Sequence, residues 1–99
     1  MTSKPLRFHP EAEQEYVTAL AWYRERSLIA AINFESAFDR AVAGILEAPQ
    51  RWAIYIAAFR KYTLGQYPFS VIYQDLRSEV VIFAVAHGRR RPGYWRDRV

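Results

Sequence analysis

Val80-Val81-Ile82-Phe83-Ala84-Val85-Ala86 is apolar at every position and runs on into His87-Gly88. Successive side chains of a strand point to opposite faces, so a run without polar alternation is covered on both. This segment therefore belongs inside a sheet, not at its edge. Working back along the chain, residues 69–74, 59–64 and 53–57 are rich in β-branched and aromatic residues and read as strands. Gly65-Gln66-Tyr67-Pro68 and the polar stretch 75–79 mark turns between them. Connections this short join antiparallel neighbours, so the C-terminal half reads as a meander.

Ahead of the meander the period changes. Pro5-Leu6-Arg7-Phe8 reads as a short strand, and His9-Pro10-Glu11 as a helix start. Proline suits the first helical position, and Glu11 and Glu13 favour the positive end of the helix dipole. Ala12, Tyr16, Ala19, Leu20 and Tyr23 recur at helical spacing to about Arg26. Ser27 caps a second helix or sits in the turn before it. Ala31, Phe34, Phe38, Ala41, Ile45 and Ala48 then line one stripe of a helix that ends before Pro49. Gly44 costs that helix about 1 kcal/mol relative to alanine, which close approach of a neighbouring helix would offset. The fold class is α+β, β-α-α-β-β-β(-β), with a helical hairpin packed on one face of a mainly antiparallel sheet. One domain over residues 1–99 is expected. Trp22, Tyr23, Phe34 and Phe38 are assigned to the core or the hairpin, and His9 to the helix start. Little chain remains to cover the second sheet face, which is expected to stay partly open for binding.

Composition removes several chemistries. With two histidines and no cysteine, disulfides, thiolate zinc sites and cysteine nucleophiles are excluded, and no metal or cofactor is expected. There is no Gly-rich phosphate loop and no nucleophile elbow. Residues 1–7 lack an apolar signal core, and no apolar run reaches the roughly 20 residues of a membrane span. A cytoplasmic protein without membrane contact is the expectation. The net charge of +4 is uneven: residues 1–58 hold six basic and seven acidic side chains, residues 59–99 eight and three. Arg89, Arg90, Arg91, Arg96 and Arg98 crowd the end of the chain against Asp97 alone. Guanidinium groups suit bidentate phosphate or carboxylate contacts, so an acidic partner or a polyanion is expected there.

Alternation puts Arg60, Tyr62 and Leu64 on one face of their strand and Phe59, Lys61 and Thr63 on the other. The same rule places Val81, Phe83, Val85 and His87 together. Arg60 and Lys61 thus diverge, and one of them faces a ligand groove. The run His87-Gly88-Arg89-Arg90-Arg91-Pro92-Gly93-Tyr94-Trp95-Arg96 combines phosphate-neutralising arginines with aromatics that stack on unpaired bases. Protein-assisted RNA cleavage needs a base, a cation for the phosphorane charge and an acid. His87 is the candidate base or acid, Arg60 and Arg90 the candidate cations, and Tyr94 the candidate acid or stacking platform.

Read in order, Phe8-His9-Pro10-Glu11-Ala12, Trp22-Tyr23, the stripe from Ala31 through Phe34 and Phe38, Pro49, Phe59-Arg60-Lys61-Tyr62, Tyr67-Pro68-Phe69-Ser70-Val71-Ile72-Tyr73 and Val85-Ala86-His87-Gly88-Arg89-Arg90 resemble the ParE/RelE superfamily of bacterial type II toxins, the plasmid stabilisation proteins. The resemblance spans nearly the whole chain. It implies a helical hairpin against an antiparallel sheet, and a cognate antitoxin whose extended acidic and apolar segment wraps the toxin. It also implies one of two targets. ParE-like members poison DNA gyrase without nuclease residues; RelE-like members cut mRNA on the ribosome as endoribonucleases.

RelE-like sites look rich in strand lysines and arginines with a tyrosine near the C-terminus. Arg60, Lys61, Arg90 and Tyr94 match this in part, whereas the long aromatic hairpin looks closer to ParE. The ParE-like reading leads, with the ribonuclease and an inactive interaction module as alternatives. Antitoxin or target contacts are expected at Arg60, Lys61, Arg89, Arg90, Arg91, Tyr94 and Trp95. A dimer or a toxin–antitoxin heterotetramer fits such a pair.

Overall fold

The computed structural model describes residues 4–99, so the first three residues of the stretch read for a signal core lie outside it. The elements are β1 (Leu6–Phe8), α1 (Pro10–Arg26), α2 (Leu28–Glu47), β2 (Ile54–Ile56), β3 (Phe59–Thr63), β4 (Phe69–Asp75) and β5 (Val80–His87), with a 3-10 turn at Arg96–Arg98. They form the expected α+β order. The strands make one mixed sheet, β1-β5-β4-β3-β2. β1 runs parallel to β5, and the other pairs are antiparallel. β5 therefore lies between β1 and β4, as its apolar composition requires. Among the described residues no helix is long and apolar enough to cross a membrane.

Two capping residues set the hairpin. His9 caps α1, its Nδ1 accepting from the Glu11 N–H at 3.1 Å. Ser27 alone separates the helices. Its N–H donates to Tyr23 O at 2.9 Å, closing α1, while its hydroxyl accepts from the Ala30 N–H at 3.2 Å, opening α2. One extended residue thus satisfies orphan groups of both helix ends. The α2 stripe is buried at Ala31, Phe34, Phe38, Ala41 and Ile45. It meets the sheet through aromatic contacts, Phe34 with Tyr67 and Phe69, and Phe38 with Phe8. Tyr16 lies between both rings; burial, then the Glu35 and Asp39 carboxylates, push its pKa up to about 12.

Two expectations are corrected. The first is strict alternation along β5. Ile72 faces Ala84 and Tyr73 faces Ile82, so Phe83 is an extra residue, a β-bulge. Phe83 and Ala84 consequently share a face with Val81, and Val85 switches to the helical side with Ile82. His87 follows Val85, not Phe83. The second is the open sheet face. Residues 88–99 cross it, and Trp95 packs on Phe59 and beside Tyr94, leaving Trp95 2% and Phe83 5% exposed. A large indole at the end of the chain supplies the cover that length alone did not suggest. Trp22 is a further correction: it is 51% exposed, outside the core.

The connection from α2 to β2 is held through its carbonyls. The buried Tyr73 hydroxyl donates to Pro49 O at 2.6 Å, and Arg60 donates to Trp52 O at 2.6 Å and Gln50 O at 3.4 Å. Trp52 then lies over Gly44. A Cβ there would sit 3.3 Å from the Trp52 ring and 3.9 Å from that of Tyr62. The glycine thus admits an indole from a loop, not a second helix. Gly44→Leu is expected to lower unfolding stability by about 1–3 kcal/mol through overpacking, read by thermal denaturation. An unchanged melting temperature would show that the indole moves aside freely.

Candidate functional site: a cleft between the first helix and the last strand

β1 accompanies β5 only as far as Ile82. Beyond that point one side of β5 lacks a strand, and its polar backbone atoms need other partners. Glu15 on α1 supplies the first, its Oε1 accepting from the Val85 N–H at 2.9 Å. Arg98 supplies the second, Nη1 donating to Phe83 O at 2.9 Å. The two side chains also pair with each other, Nη1 to Oε1 at 2.9 Å and Nη2 to Oε2 at 3.0 Å. The Tyr94 hydroxyl donates to Glu15 Oε2 at 2.7 Å. Exposure of the Arg98 and Glu15 side chains is only 9% and 15%. Bidentate, charge-assisted contacts this well shielded are the strong kind.

The electrostatics follow from these contacts. Burial, and then the bond to Glu15, hold the Tyr94 phenol well above the ordinary tyrosine range. Burial works against the charge on Arg98, and Glu15 more than offsets it, so the guanidinium pKa is raised. The Arg90 guanidinium stacks on the Tyr94 ring at 3.8 Å and stands 3.8 Å from Glu15 Oε2. Tyr94 is thus a protonated donor fixed in place, with a cation on its face.

A cleft of about 540 Å³ opens beside this cluster. Ala19, Trp22, Tyr23, Phe69 and Val85 give it an apolar floor, while Glu15, His87, Arg89 and Arg90 stand at its polar side. His87 is held at its end by an edge contact with Phe69, and its Nδ1 accepts from the Arg89 N–H at 3.0 Å. Arg89 is exposed, as is Arg91 beyond it. A smaller hollow of about 70 Å³ lies on the second sheet face, lined by Tyr55, Lys61, His87, Arg90, Tyr94 and Trp95 among others. His87 and Arg90 border both.

The sequence-expected residues are therefore divided. Lys61, His87, Arg90, Tyr94 and Trp95 come together around the smaller hollow. Arg60 points to the opposite sheet face, bound to loop carbonyls. Arg89 joins the larger cleft and Arg91 neither. Among the described residues no group of three or more histidine, aspartate or glutamate side chains is placed to hold a metal ion. Sequence reasoning missed Glu15 and the exposed Trp22. The signal for Glu15 was its spacing, three residues after Ala12 and four before Ala19, on the flank of the buried stripe.

The family described as the ParE toxin of the type II toxin–antitoxin system, parDE, matches residues 6–92. No curated protein matches the chain. Among solved structures, a chain from the chromosomal ParDE toxin–antitoxin system of P. aeruginosa superimposes with a TM-score of 0.71. The identity is 18%, over 86% of this chain and 96% of that one. At that identity the likeness speaks for the fold.

The cluster makes a quantitative demand. In Glu15→Gln one oxygen remains to accept, and the new amide turns N–H groups toward Arg98, leaving the shielded guanidinium only the more distant Glu11 carboxylate, at 3.8 Å, as counter-charge. Breaking such a pair is expected to cost about 3 kcal/mol of stability. Limited proteolysis should then release residues 88–99 before the rest of the chain. An intact tail and an unchanged melting temperature would show that the cluster is incidental.

Proposed function

The chain belongs to the ParE toxin family of type II toxin–antitoxin systems, and on that premise we propose that it arrests bacterial growth by acting on DNA gyrase until a cognate antitoxin neutralises it. Membership implies the antitoxin partner. The gyrase target is supported by one observation above all: two of the groups an RNA-cleaving site would use are tied up in the fold. Arg60 donates to Trp52 O and Gln50 O. Tyr94 donates to Glu15, and its phenol is held protonated. A general acid bound to a carboxylate and a cation turned to the far face leave little for acid–base work on a phosphodiester. A toxin that acts by binding needs neither.

The cleft beside α1 suits a protein ligand. Its apolar floor would take an aliphatic or aromatic side chain, and Arg89 and Arg90 would meet carboxylates. An antitoxin segment that is apolar and acidic in turn fits both, in a cytoplasmic complex with no membrane. The ribonuclease reading retains the hollow where Lys61, His87 and Arg90 converge.

Inducible expression in a bacterium, with and without the adjacent small reading frame, tests the proposal. Growth should stop when the chain is expressed alone and resume with its neighbour. Neutralising Arg89, Arg90 and Arg91 together should weaken the arrest; the exposed Arg89 and Arg91 should each shift stability by no more than about 0.5 kcal/mol, and any larger loss should trace to Arg90, which stacks on Tyr94. Normal growth with folded protein present would leave an interaction module that has lost the activity.

A further inference from the structure

The chain after β5 is built of successive tight turns. The Tyr94 N–H donates to Arg91 O at 3.3 Å, the Arg96 N–H to Gly93 O at 3.0 Å and the Arg98 N–H to Trp95 O at 2.9 Å. Arg91-Pro92-Gly93-Tyr94 has the residues of a type II turn, proline second and glycine third, and Gly93 takes the positive φ, 84°, that this turn requires. Space demands the glycine as well. A Cβ on Gly93 would stand 3.0 Å from Cδ of Arg96 and 3.7 Å from its Cγ. The stem of Arg96 therefore lies back across the turn that Arg91 opens. The buried Trp95, and Arg98 through its bond to Phe83 O, fix this segment to the sheet. The two arginines thus stand on an anchored platform.

What the platform presents is positive charge without counter-charge. Arg91 and Arg96 are exposed, and the salt bridges among the described residues include neither. Asp97, the one acidic side chain of the tail, pairs with neither of them. By contrast Lys4, Arg7, Arg26, Arg51, Arg90 and Arg98 each have a carboxylate partner. Arg91 and Arg96 also stand apart from the apolar cleft and from the smaller hollow. A protein partner anchors on an apolar pocket at the centre of its interface, and this turn has none. A phosphate backbone asks only for exposed cations at fixed positions, guanidinium for preference. Duplex DNA carries one negative charge per about 1.7 Å of its axis, so a single turn can meet more than one phosphate.

We propose that the turn carrying Arg91 and Arg96 is a contact for the phosphate backbone of duplex DNA, through which the toxin holds the DNA that its target enzyme is working on. The proposal rests on the gyrase reading for where that duplex is met, and on the turn alone for the contact itself. Such a contact reads charge and not sequence.

The test is fluorescence anisotropy of a labelled DNA duplex of arbitrary sequence, titrated with the whole toxin over a range of salt. Affinity should fall as salt rises. The double variant Arg91→Gln, Arg96→Gln should flatten the slope of log K against log salt by about 2 at an unchanged melting temperature. In a gyrase supercoiling assay the same variant should need roughly tenfold more toxin for equal inhibition, while binding DNA-free gyrase as the wild type does. A wild-type toxin without salt-dependent affinity for the duplex would overturn the contact, whatever the variant does. So would a double variant with the wild-type slope. A double variant that binds DNA normally and loses affinity for the antitoxin would assign the turn to the protein partner. Were the slope to flatten as expected and wild-type toxin to leave gyrase unaffected, the phosphate contact would stand and the gyrase reading would fall.

Discussion

The carboxylate of Glu15 is the point on which the rest of this fold turns. A parallel strand of only three residues leaves one side of the last part of β5 without a strand, the other side being paired with β4. Glu15 and Arg98 take the place of the missing strand, one accepting from the Val85 N–H and the other donating to Phe83 O. Because the donor on Arg98 comes from the end of the chain, satisfying the sheet also fixes the tail. Fixing the tail lays Trp95 over Phe59 and closes the second face. One shielded ion pair thereby couples helix α1, the sheet edge and the C-terminal cover.

The same economy sorts the basic residues. Arg60 and Arg98 serve the fold, bonded to carbonyls and to Glu15. Arg89 and Arg91 are exposed, and Lys61 lies outside the salt bridges of the described residues. Of these only Arg89 stands at the rim of the apolar cleft, where an exposed cation gives on-rate and register to an acidic protein partner. Catalysis asks for different things, namely a base and an acid held near a common atom with pKa values suited to the work. With Tyr94 bound to Glu15 and Arg60 behind the sheet, the arrangement favours recognition.

Much of this was legible in the sequence. The unbroken apolar run at 80–86 placed β5 inside the sheet, and the spacing from Ala31 to Ile45 gave the buried stripe of α2. Ser27 and His9 announced the helix ends by residue type. What escaped were effects of register and reach. The bulge at Phe83 cannot be seen in composition, because an extra apolar residue in an apolar strand leaves no mark, yet it turns His87 to the other face. The tail read as a basic run for an acidic partner or a polyanion, and four of its five arginines are exposed; the fifth, Arg98, is bound to a glutamate 83 positions away in sequence. Long-range pairing of that kind has no local signature. Arg60 was separable from Lys61 by parity, but its loop carbonyl partners depended on the path of the chain after Pro49.

The most direct measurement is DNA supercoiling by purified gyrase in the presence of the purified toxin, with and without antitoxin. The account expects loss of supercoiling or accumulation of cleaved DNA, reversed by the antitoxin. Full gyrase activity, together with ribosome-dependent cleavage of mRNA by the same preparation, would contradict it and return Lys61, His87 and Arg90 to a catalytic role.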